Sequence, residues 1–339
     1  MNPRIRLAFA VPVLSALALT ACSPAGGAES SGAGADGAAP LMVMASFYPL
    51  QYITEQVGGD LVKVESLTPP GTEPHDLELS PASVASLQGA AAVAYLSGFQ
   101  PAVDDAIEQA APAHVLDVSG EADLAAEHTE AHADEAHADE AHAEEAHAEE
   151  AHAEEAAAGD GHAEEEHGGQ DLHFWLDPER LAHAAEAVAV KLGEVDPDNT
   201  ATYEANAEAL AGKLATLDDD FRQGLATCTT RTAVVSHEAY GYLMEKYDLK
   251  QVGIAGLEPE TEPSPARLAE IGEVIKVEGV GTIFTETIVN PKVAETLAAD
   301  LDIKTAVLDP LEGQANDTQD YDNVMRANLE ALRTALGCS

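Results

Sequence analysis

This chain of 339 residues carries 61 acidic and 16 basic side chains, and its formal charge of −45 excludes binding to nucleic acid or to an anionic membrane surface. It has three cysteines and one tryptophan. After processing, roughly 300 residues remain, enough for two lobes.

Arg4 and Arg6 precede an apolar run from Leu7 to Leu19, which is too short to span a bilayer comfortably and reads as a signal-peptide core. The run ends in Leu19-Thr20-Ala21-Cys22, which resembles a bacterial lipobox. Residues 1–21 are therefore read as a lipoprotein signal peptide and Cys22 as the lipidated first residue of the mature chain. Residues 22–40, rich in Gly, Ala and Ser, read as a flexible tether. No later stretch is long and apolar enough for a membrane span. The expectation is a soluble domain anchored by lipid at the outer face of the cytoplasmic membrane.

Leu41–Phe47, Leu61–Leu67, Ala90–Leu96 and Val115–Val118 read as short buried strands. Helical patterns near Pro49–Val57, Ser80–Leu87 and Val103–Gln109 separate them, completing an N-terminal lobe over residues 41–120. Residues 121–170 then hold eight of the thirteen histidines, eighteen acidic residues and no Lys or Arg. Within them, Ala-His-Ala-(Asp/Glu)-Glu repeats five times without interruption from Ala131 to Glu155. Imidazole and carboxylate in every copy point to borderline divalent metals. In a helix a five-residue step rotates by about 140° per copy, so the histidines would form no single chelating face. His128, His132, His137, His142, His147, His152, His162 and His167 are thus expected to give weak, fast-exchanging sites on a loop disordered without metal.

Pro178 to about Ala226 is nearly all helix former with a break near Val195–Asp198, so residues 171–227 read as a linking helix and its approach. A second lobe follows over residues 228–339. Strands are expected at Thr232–Ser236, Gln251–Ile254, Gly281–Phe284 and Lys304–Leu308. Helices are expected near Tyr240–Tyr247, Pro265–Lys276, Pro291–Ala299 and Tyr321–Leu336. The fold class is α/β: two lobes of parallel βα units joined by a long rigid linking helix. With Cys22 assigned to lipid, Cys228 and Cys338 remain as an even pair in an oxidising compartment, and a disulfide between them is expected.

Four positions stand out by location. His75 lies in a loop after a strand, and His173 opens the linking helix. His237 and Asp309 directly follow strands. Ligands in open α/β sheets bind beyond the carboxyl ends of strands, so the four could converge between the lobes. His114 and His183 read as structural or surface residues.

The motifs Pro70-Gly71-Thr72-Glu73-Pro74-His75-Asp76, His173-Phe174-Trp175-Leu176-Asp177-Pro178, Ser236-His237-Glu238-Ala239-Tyr240-Gly241-Tyr242 and Leu308-Asp309-Pro310-Leu311 resemble those of the zinc/manganese solute-binding lipoproteins of ABC importers, the ZnuA/TroA-like family. The resemblance covers roughly residues 41–337 and includes Ala45-Ser46-Phe47-Tyr48-Pro49. It implies a zinc-type member with a His-rich loop. It also implies two α/β lobes bridged by one long helix, and a metal held by His75, His173, His237 and Asp309, with Glu73 and Glu286 as reserves for the fourth ligand. Zn²⁺ would then be the transported ligand, a permease with its ATPase the partner, and the protein a monomer and not an enzyme. Three imidazoles and one carboxylate suit Zn²⁺, whereas manganese members place a carboxylate where His237 stands. Since ligand histidines must be neutral, affinity is expected to fall as pH drops below about 6. Rival readings are a surface zinc buffer or adhesin, a metallochaperone, a manganese-binding homologue, and a zinc hydrolase with Glu238 as base.

Overall fold

The computed structural model describes residues 39–122, 124, 170–314 and 320–339. The signal peptide, Cys22, most of the tether and all eight tract histidines lie outside the described residues.

Residues 40–339 form one compact unit built around two four-stranded parallel sheets. In the first, β1 (Leu41–Ala45), β2 (Val62–Ser66), β3 (Ala92–Tyr95) and β4 (Val115–Asp117) take the order β2-β1-β3-β4. Helices α1 (Tyr48–Gly58), α2 (Pro81–Leu87) and α3 (Pro101–Ala110) connect them. The second sheet repeats that order with β5 (Thr232–Val235), β6 (Lys250–Gly253), β7 (Thr282–Thr285) and β8 (Lys304–Val307), arranged β6-β5-β7-β8. Its connecting helices are α6 (Gly241–Lys246), α7 (Pro265–Glu278) and α8 (Lys292–Asp300), and α9 (Tyr321–Leu336) closes the chain. All eight expected strands are present within one or two residues of their expected bounds. Helix starts follow the local chemistry: Ser80, Asp177 and Ser264 each cap a helix whose first residue is Pro.

The long helical middle is two helices, α4 (Pro178–Val195) and α5 (Thr200–Gly224), with a 3-10 turn over Pro197–Asn199 at the expected break. The 25 residues of α5 span about 37 Å. Its buried side chains, Tyr203, Ala207, Leu210, Leu214, Leu217 and Phe221, alternate steps of four and three, a narrow seam of coiled-coil type.

Strand alternation divides the core. Val43 and Ala45 of β1, and Ala233 and Val235 of β5, belong to one cluster shared by both sheets, α1, α4, α5 and α9. Met44 and Val93 face a separate cluster with α2 and α3, and Val234 and Ile283 another with α7 and α8. A core shared across both sheets resists wide hinge opening between them.

Cys228, just past α5, is bonded to Cys338, just past α9. The bond closes a loop of 110 residues, worth about 4–5 kcal/mol in the chain-entropy model. Replacing both cysteines by Ser should lower the urea midpoint accordingly and leave metal affinity unchanged, because the bond braces helix ends and carries no ligand.

Candidate metal centre

In the second sheet the chain runs outward from β5 to β6 and then crosses back past β5 to β7, so the carboxyl ends of β5 and β7 form a topological switch point. His237 stands there, two residues past β5, with Glu286 directly after β7. Ser236 fixes this strand end: its Oγ donates to the Phe284 carbonyl at 3.0 Å, and its own carbonyl accepts the Ala255 N–H at 2.8 Å.

His173 is set by Asp171, whose carboxylate accepts the His173 backbone N–H at 2.9 Å and meets ring Nδ1 at 2.8 Å. The Tyr242 hydroxyl donates to the Asp171 carbonyl at 2.9 Å. A methyl group at Gly241 would collide with Asp171 Oδ2, which explains a glycine between two tyrosines there. His75 lies in the loop after β2, against Phe99 with ring centroids 4.7 Å apart. Phe99 packs in turn on Trp175, which gives the site an apolar wall.

One donor atom each from His75, His173, His237 and Glu312 lies within 4.8 Å of every other. Glu312 Oε1 is 3.0 Å from His237 Nε2, 3.1 Å from His173 Nε2 and 3.7 Å from His75 Nε2. A tetrahedral zinc ion with bonds near 2.05 Å separates its donors by about 3.3 Å, so these distances bracket its requirement. Among the buried atoms without a hydrogen-bond partner are His75 Nε2, His173 Nε2 and Glu312 Oε2. Such orphans are costly unless a cation satisfies them. The second ring nitrogens also face carboxylates: His173 Nδ1 meets Asp171, His237 Nδ1 meets Glu286 at 2.8 Å, and His75 Nδ1 faces Glu258 at 3.5 Å. Carboxylates behind histidines orient the rings and raise their basicity toward a metal.

The structure corrects the fourth position. Asp309 does not join the cluster; its carboxylate accepts from Thr287 Oγ1 at 2.7 Å and from the Leu311 N–H at 2.8 Å. That second bond supports a turn in which Leu311 takes the left-handed conformation, φ 58°, and swings Glu312 inward. Around it, Asn328 bonds both the N–H and the carbonyl of Asp309, and Trp175 Nε1 donates to the Pro310 carbonyl at 2.7 Å. Neither reserve is in the cluster. Glu73 accepts the backbone N–H groups of His75 and Asp76, both at 3.1 Å, and Glu286 stands behind His237. Glu312 was missed; the acid before Gly313 is its only signal in the sequence. Glu238, the base of the hydrolase reading, pairs with Arg267 at 3.3 Å. His114 and His183 are exposed. Replacing Trp175 by Phe frees a buried carbonyl and should cost about 1–3 kcal/mol in urea denaturation, with weaker metal binding as the Glu312 turn loosens.

Residues 43–335 match the family model described as zinc-uptake complex component A, periplasmic. The chain belongs to this family. It is 34% identical over 303 residues to the high-affinity zinc uptake system protein ZnuA of Bacillus subtilis, covering 87% of this chain and 88% of that protein. It is 32% identical over 336 residues to the zinc-binding lipoprotein AdcA of Streptococcus pneumoniae, covering 97% of this chain but only 60% of AdcA. Among solved structures, a Zn(II)-bound variant of AdcAII from Streptococcus pneumoniae superposes with TM-score 0.71 at 29% identity, over 88% of this chain and 99% of that one. The two-sheet fold is thus that of ZnuA-family binding proteins, and three imidazoles with one carboxylate suit the zinc type.

Proposed function

We propose that this protein captures Zn²⁺ outside the cytoplasmic membrane and delivers it to the permease of an ABC importer, whose ATPase drives the cycle. The observation that carries this reading is the donor set: three imidazole Nε2 atoms around the Glu312 carboxylate, each ring backed by an acid. Four protein ligands close the coordination sphere, which suits capture and transfer rather than hydrolysis, where a zinc ion keeps an open position for water. His237 supports zinc over manganese, since manganese sites favour a further hard oxygen. Family membership, the zinc-bound relative and the high-affinity uptake relative support the same reading.

On this reading Cys22 is the lipid anchor, the protein works as a monomer, and the histidines from His128 to His167 concentrate zinc near the cleft. Zinc calorimetry with a competing chelator tests it on the mature chain, the His237→Ala variant and a variant lacking residues 128–167. The expected result is one tight site and several weak ones. His237→Ala removes the tight site alone, and the deletion removes the weak sites alone. Weak sites only, unchanged by His237→Ala, would refute it.

A further inference from the structure

The three imidazoles are not held alike. Asp171 and Glu286, both buried, meet their histidines at 2.8 Å. Glu258 Oε2 lies 3.5 Å from His75 Nδ1, beyond good hydrogen-bond range, and its side chain is 69% exposed. The Glu258 contact also crosses between the lobes, because His75 follows β2 of the first sheet while Glu258 follows β6 of the second. His75 has 6% of its side chain exposed, against 1% for His173 and 0% for His237.

The segment bearing Glu258 is anchored on both sides. The Gly256 carbonyl accepts the N–H of Glu238, the residue after His237, at 2.9 Å, and Arg267 donates to the Gly253 carbonyl at 2.8 Å. Pro259 and Pro263 restrict the backbone between these anchors, and Pro259 biases Glu258 itself toward an extended conformation. Glu258 is therefore presented to His75 from the segment after β6, which is tied at Gly256 to the residue next to His237.

We propose that Glu258 is a positioning residue that holds His75 across the cleft and thereby sets how long the bound ion stays. The inference rests on the zinc reading above. A metal ion on Nε2 draws electron density from the ring and makes Nδ1–H a better donor, so the pull on Glu258 strengthens on binding. Movement of residues 254–264 then loosens His75 without any contact to the ion.

Stopped-flow transfer of zinc to a chelator tests this on the mature chain. Glu258→Ala should speed dissociation by about tenfold to a hundredfold with little change in association. Glu258→Gln, which still offers an acceptor, should restore part of the loss. Glu260→Ala removes the same charge from the same loop and should stay within about twofold of wild type. In ¹⁵N NMR of the zinc form, the His75 Nδ1–H resonance should be protected from exchange in wild type and lost in Glu258→Ala. Wild-type dissociation in Glu258→Ala, or equal acceleration by Glu260→Ala, would overturn the inference and leave the zinc reading standing. Absence of any tight site in the wild type would overturn both.

Discussion

Replacing Glu312 by Gln is expected to weaken the tight zinc site by more than about a hundredfold, while Asp309→Asn changes it by less than about tenfold. Loss of a group that merely orients a ligand costs ten- to a hundredfold in metal affinity, so loss of a ligand should exceed that range. Glu312 is fully buried and central, with one oxygen facing all three Nε2 atoms. Gln keeps the shape but supplies only a neutral carbonyl oxygen to an ion that three neutral imidazoles cannot neutralise. Asp309 acts on the turn instead, and the Asn carbonyl can still accept the Leu311 N–H, so the turn that aims Glu312 survives. Asp309→Ala removes that acceptor and should fall between the two. Chelator competition on the three variants ranks them; a larger loss in Asp309→Asn than in Glu312→Gln would reverse the assignment.

The second large effect is on pH. Proton and zinc compete for the same Nε2 atoms. Burial favours neutral His173, but the carboxylates of Asp171 and Glu312 override it and raise its pKa to about 9. Burial likewise opposes charge on His237, and Glu312 and Glu286 raise it well above the ordinary histidine value. Burial would raise Glu312, but His237, His173 and His75 hold it well below the usual carboxylate range. A histidine raised in this way stabilises the metal-free fold fully below its unfolded value of 6.5 and loses that contribution as pH rises through about 9. For zinc the sign is opposite, because the proton must leave before the metal binds. Affinity should therefore climb through neutral pH toward about 9, changing about tenfold per pH unit for each proton displaced. This moves upward the window expected from ordinary histidines, which would have placed the loss below about pH 6. Titrations in buffers of different ionisation enthalpy should show proton release near pH 7.5; affinity flat between pH 6.5 and 8.5 would contradict this account.

Much of this was legible from local chemistry. Ser80-Pro81, Asp177-Pro178 and Ser264-Pro265 mark helix starts by their own geometry. The central strands β1, β3, β5 and β7 are short apolar runs largely buried on both faces, as parallel sheets require, whereas the edge strands β2 and β8 expose Lys63, Glu65 and Lys304. His75 and His237 stand out in the sequence because loops at strand ends carry ligands in such folds, and His173 because it opens a helix. Glu312 was hidden because its aim depends on Leu311 in a left-handed turn, held by Asn328 and Trp175 from distant parts of the chain. Asp309, next to the strand end, presented the stronger local signal for a role that its own turn bonds pre-empt. Asp171 lies two residues from its histidine, but Glu286 lies 49 residues from His237 and is brought to it only by strand order. The altered pH window follows from those same partners.

The most direct test of the central claim is anomalous diffraction at the zinc absorption edge from crystals of the mature protein grown with one equivalent of zinc. The account predicts one strong peak bonded to His75, His173 and His237 Nε2 and to Glu312, with Asp309 remote from it. A peak bonded to Asp309 in place of Glu312, or none among the three histidines, would contradict it.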